Sequence, residues 1–379
     1  MKELALLFLK LGTVAFGGPA AHIAMMEEEV VKRRGWITHE HFLDLLGAAN
    51  LIPGPNSTEM AAHIGYVRAG WKGLVVAGCC FILPAAAISL LLARLYVMYG
   101  SIPQAGVFIM GIRSAIIAVI FAAVFRLAKP LYKNYFMIVL GVSVAVLNLL
   151  GLDEILLLLG AGIAGVLWSQ RSRLLHASAS LPALIPLFTS TIAGSPLSST
   201  PMEPASITGL TLFFLKIGSV LYGSGYVLTA FLQGGLVEAR HWLTQTQLLD
   251  AIAVGQFTPG PVLSTATFIG YLILGIPGAV VATTGIFLPS FVFVLISSPF
   301  IPMLRKSPGV RGFLDGVNAG SLGLMLGVTI FLAGSSLTTL SSGIIFLAAA
   351  IAVIVWNINA AWIVAGGAAL GWACSKLLL

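Results

Sequence analysis

Asn50-Leu51-Ile52-Pro53-Gly54-Pro55-Asn56 interrupts an apolar part of this chain, and Gln256-Phe257-Thr258-Pro259-Gly260-Pro261 interrupts another part 206 positions further on. Proline stops a helix, and glycine permits an irregular turn after it. The flanking apolar pieces, 42–52 with 56–67 and 248–258 with 262–273, are each about half a membrane thick at a helical rise of ~1.5 Å per residue. The pattern therefore predicts two half-helices meeting at each Pro-Gly-Pro, as a re-entrant hairpin.

The rest of the sequence has the composition of a membrane protein. Charged residues make up only 9% of the 379 positions, and hydrophobic residues make up 58%. A soluble domain is roughly a quarter charged, so this composition excludes soluble enzymes, disordered chains and nucleic-acid-binding domains. We expect the lipid bilayer and no nucleic acid as partners, because the net charge of +7 suits loops that set membrane orientation.

Apolar runs of membrane-spanning character recur along the chain. A helix needs about 20 apolar residues to cross the hydrocarbon core. Ten runs have this character: 3–21, 73–97, 104–126, 135–151, 153–169, 208–227, 277–298, 313–333, 342–356 and 358–376. They predict an all-α polytopic membrane protein with about ten spanning helices and two re-entrant half-helix hairpins.

The second part of the chain repeats the residues of the first. At an offset of 206, Phe8-Leu9-Lys10 matches Phe214-Leu215-Lys216, and with one deletion the agreement continues to Gly111 and Gly316. Other matched pairs are Gly12 with Gly218, Gly17 with Gly223, Trp36 with Trp242, Thr38 with Thr244, and Asp44 with Asp250. We predict a first transporter repeat at 1–175, a linker rich in Ala, Ser, Thr and Pro at 176–206, and a second repeat at 207–379.

The relative direction of the two repeats follows from counting crossings and charges. Five spans and one re-entrant hairpin per repeat give an odd crossing number, which predicts an inverted repeat. With the N-terminus outside, cytoplasmic loops collect most of the 20 lysines and arginines, as expected for membrane proteins. These are Lys32, Arg33, Arg34, Arg68, Lys72, Arg126, Lys129, Lys133, Arg171, Arg173, Arg305, Lys306 and Arg311. A sixth full crossing in each repeat, giving parallel halves, is the alternative.

Broken helices at matching places in two repeats are a common sign of a transporter binding site. A half-helix that begins after Pro-Gly-Pro presents unpaired N–H groups and a partial positive charge, which together favour an anion. The alternative is that each Pro-Gly-Pro merely connects two helices. The candidate binding residues in the two loops are Pro53, Gly54, Pro55, Asn56, Ser57, Thr58, Pro259, Gly260, Pro261 and Ser264.

Three basic residues lie at membrane depth in the predicted spans. Lys10 and Lys216 occupy matching positions, and a buried ammonium costs about 2.5–3.5 kcal/mol on insertion scales, which suggests a use in binding substrate. Lys10 can alternatively reach the interface, because it is only ten residues from the start. Arg113 is either a substrate clamp or an ion-pair partner of Asp315. We expect Lys216→Met to abolish transport and to leave folding intact.

Three acidic residues are candidates for carrying a coupling proton. Asp44 and Asp250 match across the repeats at the entry of each hairpin, and Glu59 lies one turn after the first Pro-Gly-Pro. Acidic residues also favour the N-cap of a helix, and capping is the preferred interpretation for the two aspartates. For Glu59 proton transfer is preferred, since a carboxyl group at such depth is desolvated. No metal cluster or cofactor motif is apparent, so we expect no cofactor.

These residues resemble the chromate ion transporter family. The resemblance covers nearly the whole chain except the linker, and the second repeat is similar to the second domain of the long, two-domain members. It rests on Phe16-Gly17-Gly18-Pro19, Trp36-Ile37-Thr38, Asn50 to Asn56, Gly65-Tyr66, Gly70-Trp71-Lys72-Gly73, Gln256 to Pro261, Gly270-Tyr271 and Leu288-Pro289-Ser290. Ser224 and Gly225 depart from the pattern, because they stand where the first repeat has Gly18 and Pro19.

The resemblance implies an inner-membrane carrier that exports chromate, is driven by the proton motive force and has sulfate as a competitor. Chromate and sulfate are both tetrahedral dianions. A dianion suits a site formed by two helix N-termini and two lysines. We therefore expect a secondary active transporter working by alternating access, with a homodimer as a further expectation. An uncoupled anion channel, or a carrier for another anion, is the alternative. An intramembrane enzyme acting on lipid would need a nucleophile–base pair or a metal cluster, and the sequence shows neither.

Overall fold

The structure is a computed structural model that describes residues 1–15, 18–99, 103–171, 204–222, 225–298 and 307–377. The described part of the first half contains seven α-helices: α1 Lys2–Val14, α2 Gly18–Glu27, α3 His39–Ala49, α4 Asn56–Tyr99, α5 Pro103–Leu127, α6 Tyr135–Leu149 and α7 Glu154–Ser169. The described part of the second half contains seven in the same order: α8 Ile207–Val220, α9 Leu228–Leu232, α10 Gln245–Phe257, α11 Thr265–Ser297, α12 Pro308–Ser336, α13 Leu340–Ile354 and α14 Ala360–Leu377.

Some features of the sequence analysis lie outside the described residues. They include positions 176–203 of the predicted linker 176–206. They also include the pairs Phe16-Gly17 and Gly223-Ser224 and the basic residues Arg173, Arg305 and Lys306.

The backbone repeats its irregular features as well as its helices. A π-helical turn follows α2 at Glu28–Arg33, and another follows α9 at Gln233–Glu238. Positive φ angles recur in the same way, at Gly35 (59°) and at His241 (53°), which is the matching position. The second half therefore copies the first at the level of single turns, even where the residue type differs.

Each long helix after a Pro-Gly-Pro loop is a helical hairpin. In α4, Gly70 has a φ of 60°, and a Cβ added to Gly65 would lie 2.3 Å from the carbonyl oxygen of Gly73. Eight residues of straight helix would separate these two by about 12 Å, so the chain must fold back at Ala69-Gly70. Helix α11 folds back in the same way at Leu274-Gly275, where a Cβ added to Gly270 would lie 2.3 Å from the carbonyl oxygen of Gly278.

The helices confirm an all-α multi-pass membrane protein. Within the described residues, four segments are long and apolar enough to cross a membrane, and five further helices are apolar but shorter. The four are Asn56–Tyr99, Phe108–Leu127, Val262–Ser297 and Pro308–Ser336, and the five are Tyr135–Leu149, Glu154–Ser169, Ile207–Val220, Leu340–Ile354 and Ala360–Cys374. The number of spans and the inverted direction of the second repeat stay predictions.

Two predicted spans, 3–21 and 208–227, are not continuous helices. Helix α1 ends at Val14 and α8 ends at Val220, each followed by a residue with extended backbone. A helix of 13 residues is only about 20 Å long, which is less than the ~30 Å hydrocarbon core. The interruption is tolerated because hydrogen-bond donors from the opposite half reach the released carbonyl groups.

The two halves are interleaved around a shared core. Helix α5 packs against α13 and α14 of the second half, and α12 packs against α6 and α7 of the first. Small residues permit close approach at both contacts. A Cβ on Gly111 would lie 2.0 Å from the carbonyl oxygen of Gly367, and one on Gly316 would lie 2.1 Å from that of Ala161. Because the halves pack in this way, both Pro-Gly-Pro loops contact residues of the opposite half.

Candidate functional site

Each Pro-Gly-Pro loop is bonded to the broken first helix of the opposite half. The N–H of Gly54 donates to the carbonyl of Leu221 at 2.7 Å, and the N–H of Gly260 donates to the carbonyl of Ala15 at 2.9 Å. The two glycines have φ angles of 137° and 85°, which glycine adopts without steric cost. Four interrupted helix ends are therefore gathered in one region.

A cavity of about 940 Å³ opens beside these loops and is lined by both halves. Asn56 of the first loop and Gly260 and Val262 of the second form part of its wall. Other polar lining residues are Asn134, Gln256, Thr258, Asn318, Ser321, Asn357 and Asn359. Amide and hydroxyl donors of this kind suit the oxygen atoms of an oxyanion.

Arg126 and Asp315 are the charged residues among the described cavity-lining positions. The guanidinium of Arg126 donates to Asn357 Oδ1 at 2.8 Å and to the carbonyl oxygen of Val353. The sequence indicates Arg126 only as one of the charges that set membrane orientation. The signal that could have identified it is its place at the end of the apolar run 104–126, in the last turn of α5.

The predicted helix N-termini lie where the sequence placed them. Asn56 is the first residue of α4, and a 3-10 turn at Val262–Ser264 leads into α11. Of the loop residues predicted to bind substrate, Asn56 and Gly260 line the cavity. The other predicted loop residues are not part of its wall. Seven of them are buried, namely Gly54, Pro55, Ser57, Thr58, Pro259, Pro261 and Ser264, and Pro53 is half-buried.

The two predicted lysines lie on the first helix of each half, away from the described cavity wall. Lys10 Nζ is 2.8 Å from Glu29 Oε1, and the Lys10 side chain is 54% exposed. Its hydrogen bond is the main reason that the pKa of Glu29 is lowered, and Arg33 and Arg34 add to the effect. Lys216 is exposed on α8. The structure therefore does not bring the lysines together with Asn56 and Gly260.

Arg113 pairs with Asp250, and the alternative of an ion pair with Asp315 is wrong. Its Nε and one terminal nitrogen each donate to an Asp250 carboxylate oxygen at 2.9 Å, and the hydroxyl of Tyr96 donates to the same group at 2.7 Å. This joins α4 and α5 of the first half to α10 of the second. Arg113 also lines a separate cavity of about 200 Å³, with Gln245 among its neighbours.

The two matched aspartates are not helix caps, which corrects the preferred interpretation from the sequence. Thr38 caps α3, and Thr244 caps α10 with a capping box. Asp44 lies in the middle of α3 and is exposed, whereas Asp250 lies in the middle of α10 and is 6% exposed at its side chain. Threonine takes the cap because its hydroxyl accepts from an N–H in the first turn.

Glu59 is the most deeply buried acidic residue described, with no exposed surface. Neither of its carboxyl oxygens has a hydrogen-bond partner within the described part of the chain. The Ser290 hydroxyl, the Thr58 hydroxyl and His63 Nε2 are also buried without a partner there. Buried polar atoms without hydrogen bonds lower the stability of a fold, so this group behind the first loop suggests a functional role. No set of three or more possible metal-binding side chains occurs within the described residues.

Comparison with known proteins gives consistent results over the whole chain. The family model for the chromate transporter matches twice, at residues 2–166 and 208–372. The chain is 33% identical to the chromate transport protein of Cupriavidus metallidurans over 388 aligned positions, covering 100% of this chain and 94% of that protein. It is 32% identical to the probable chromate transport protein of Synechococcus elongatus, covering 93% and 89%. No solved structure gives a significant match.

Proposed function

This chain belongs to the chromate transporter family, and from that premise we propose that it is a secondary active transporter that exports chromate across the inner membrane. Transport would proceed by alternating access, driven by the proton motive force, with sulfate as a competitor. The central observation in support is the cavity of about 940 Å³ that is lined by both halves and opens beside the Pro-Gly-Pro loops. Both relatives described above are named for chromate transport.

The hydrogen-bond donors of the cavity wall suit an anion that accepts several hydrogen bonds, and they outnumber the one described acidic residue of that wall, Asp315. Arg126 supplies a permanent positive charge, and hydrogen bonds to a charged group are stronger than those between neutral groups. The N-terminal end of α4 adds a partial positive charge at Asn56. A tetrahedral dianion would be held by these groups together with the surrounding amides. Lys10 and Lys216 remain proposed contributors of positive charge.

The contacts between the halves support movement about the site. Gly54 and Gly260 each bond to the opposite half, so a rotation of one half displaces both loops together. In the proposed inverted repeat this motion would expose the cavity to each side in turn. The candidate proton-carrying groups are Glu59, Asp44 and Asp250. The protein would need no cofactor and no nucleic acid, and a homodimer is proposed.

The test is the flux of labelled chromate in proteoliposomes, measured with and without a pH gradient and with excess sulfate. Flux that depends on the gradient and is blocked by sulfate is the expected result. Flux that ignores the gradient would contradict coupling and favour an uncoupled anion channel. An absence of chromate flux by folded protein would contradict chromate as the substrate and would favour another anion in the same cavity.

A further inference from the structure

We propose that the coupling proton is carried at a single site built by both halves, in which the Glu59 carboxyl group of the first half binds the proton and Ser290 of the second half is a positioning residue. The inference rests on the proposed proton-coupled transport and names the group that performs it. It also assigns the other two candidate acids to different roles.

Gly54 makes the room for this site. A Cβ added to Gly54 would lie 1.9 Å from Glu59 Oε1 and 2.4 Å from Ser290 Oγ. The carboxyl group and the hydroxyl group therefore share the space that a side chain at position 54 would take. Both groups are fully buried, and neither has a hydrogen-bond partner within the described residues. The site lies directly against the backbone of the loop that forms the cavity wall.

The matching place in the second half lacks a proton carrier. Ser264 stands at the position of Glu59, and Ala85 stands at the position of Ser290, where its Cβ would be 3.0 Å from a Cβ on Gly260. Ser264 also has a partner, because the Ser89 hydroxyl donates to it at 3.2 Å. Within the described residues, the two matching places therefore provide one buried carboxyl site, on the side of the first half.

The other two candidate acids are in different situations. Asp250 is held by two hydrogen bonds from Arg113 and one from Tyr96, so its charged form is already compensated. Asp44 is exposed in the middle of α3, so burial does not desolvate its carboxyl group. Neither of them combines complete burial with unpaired oxygens, which is the combination that distinguishes Glu59.

Two other titratable groups face Glu59. His63 lies one turn further along α4, and Tyr222 follows the end of α8 in the second half. The carbonyl of Tyr222 accepts from the hydroxyl of Ser321, which lines the cavity. Tyr222 is therefore connected by a hydrogen bond to a residue of the cavity wall, whereas Glu59 is not part of that wall.

Proton binding at this site would alter the packing of the first loop. The neutral carboxyl group can remain buried, whereas a carboxylate without a partner pays a large desolvation cost and favours a rearrangement that admits donors or water. Any such rearrangement displaces Gly54, because the carboxyl group fills the space beside it. Gly54 is in turn bonded to Leu221 of the opposite half. Protonation is thereby linked to the relative position of the two halves.

The test compares two chromate measurements on the full chain in proteoliposomes: exchange without a gradient, and net flux driven by a pH gradient. For Glu59→Gln we expect exchange within about twofold of wild type, with the stimulation by the gradient reduced to a ratio of about one. Glu154→Gln, a half-buried acid on α7 outside the cavity wall, is the matched control and should keep the stimulation.

Ser290→Ala provides the second arm and separates positioning from folding. The Ser290 hydroxyl, which borders the same space as the carboxyl group, can donate to the carboxylate that forms when the proton leaves. Its loss should therefore shift the pH of half-maximal driven flux upward, equivalent to a decrease of about fivefold in proton concentration, with exchange unchanged. Thr284→Val is the control on the same helix. The Thr284 hydroxyl donates to the carbonyl oxygen of Val280 in that helix, so its removal should not shift the pH profile of driven flux. The proposal would be overturned if Glu59→Gln kept its stimulation by the gradient, or if that variant were folded but had lost exchange. An unshifted pH profile in Ser290→Ala would overturn it as well. If wild type itself gives no chromate exchange, it is the proposed function that fails.

Discussion

The N–H of Gly54 and the carbonyl of Leu221 join the first loop of one half to the broken helix of the other at 2.7 Å. The mirror contact, from Gly260 to Ala15, uses the matching residues. Each loop thus satisfies a carbonyl that an uninterrupted helix would have bonded internally. The break in the first helix of each half is therefore stabilised by a donor from the opposite half.

A side chain at either loop glycine should damage both packing and transport. In Gly54→Ala the new methyl group would collide with Glu59 and Ser290, and φ angles in this region cost about 1–3 kcal/mol for residues other than glycine. In Gly260→Ala the new methyl group would lie 3.0 Å from Ala85 Cβ and 3.1 Å from the carbonyl oxygen of Gly12, both farther than the contacts at Gly54, so we expect a smaller loss. Thermal unfolding in detergent, combined with chromate flux, measures both effects.

Gly334→Ala is the matched control for the loop glycines. Gly334 lies in α12 with nothing within 4 Å of an added Cβ, and alanine has the higher helix propensity. We expect unchanged flux and equal or slightly higher stability. Equal tolerance of alanine at positions 54 and 334 would contradict the close packing of Glu59 against the loop.

Breaking the Arg113–Asp250 pair should be strongly destabilising. Asp250→Asn leaves the guanidinium without its partner in a largely buried place, and removing one member of a buried pair costs about 3–5 kcal/mol. The double variant Arg113→Gln with Asp250→Asn should recover part of this loss, because no uncompensated charge remains. The measurement is a double-mutant cycle from unfolding free energies.

An exposed ion pair supplies the comparison for this cycle. Lys32 and Glu28 form an i, i+4 pair with both side chains substantially exposed. Exposed pairs contribute little to stability, so Lys32→Gln should leave the unfolding transition almost unchanged. Additive effects of Arg113→Gln and Asp250→Asn would show that the two side chains do not interact.

Arg126 should determine the affinity for the anion. Arg126→Gln removes a charged donor from the cavity wall, and hydrogen bonds to charged groups contribute about 1.5–3 kcal/mol, so we expect chromate affinity to fall at least tenfold. Competition between chromate and sulfate in the flux assay measures it. Unchanged affinity in a folded Arg126→Gln protein would remove Arg126 from the site.

The lysine prediction from the sequence is tested in the same assay. If Lys216 supplies charge to the substrate, Lys216→Met abolishes transport and leaves folding intact. If that variant transports chromate at the full rate, Lys216, which is exposed on α8, does not bind the substrate.

The Lys10–Glu29 pair should make stability depend on acid. Lys10 lowers the pKa of Glu29 in the folded protein below its ordinary value of 4.5. A carboxyl group of this kind stabilises the fold above its ordinary pKa, and that contribution is lost as the pH falls through the lowered value. Lys10→Met should therefore reduce the loss of thermal stability between about pH 5 and pH 3. Lys2→Met, at the start of α1, should leave the acid dependence unchanged.

Periodic and compositional information in the sequence was sufficient for the general architecture. Pro53-Gly54-Pro55 and Pro259-Gly260-Pro261 specify breaks through backbone chemistry alone, and the structure has a helix ending and another beginning at each. The low charge and long apolar runs specify helices in a bilayer for the same local reason. Glu59 was selected because depth and polarity can be read from one segment.

The partners of charged groups depended on contacts distant in the chain. Arg113 and Asp250 are 137 positions apart, so no local pattern indicates their pairing, and the sequence left Arg113 as either a substrate clamp or a partner of Asp315. The capping threonines were overlooked for a different reason, since an aspartate near a helix start satisfies the same local rule.

The sequence by itself determined that this is a duplicated helical membrane protein with two broken-helix loops, because glycine, proline and apolar periodicity act within a few residues of their own position. Only the tertiary structure decided that each loop is bonded to the opposite half, that Arg126 rather than the lysines lines the described cavity, and that Ser290 lies beside Glu59. These relationships arise from packing between segments that are far apart in the chain, and their geometry is fixed only when both halves are folded together.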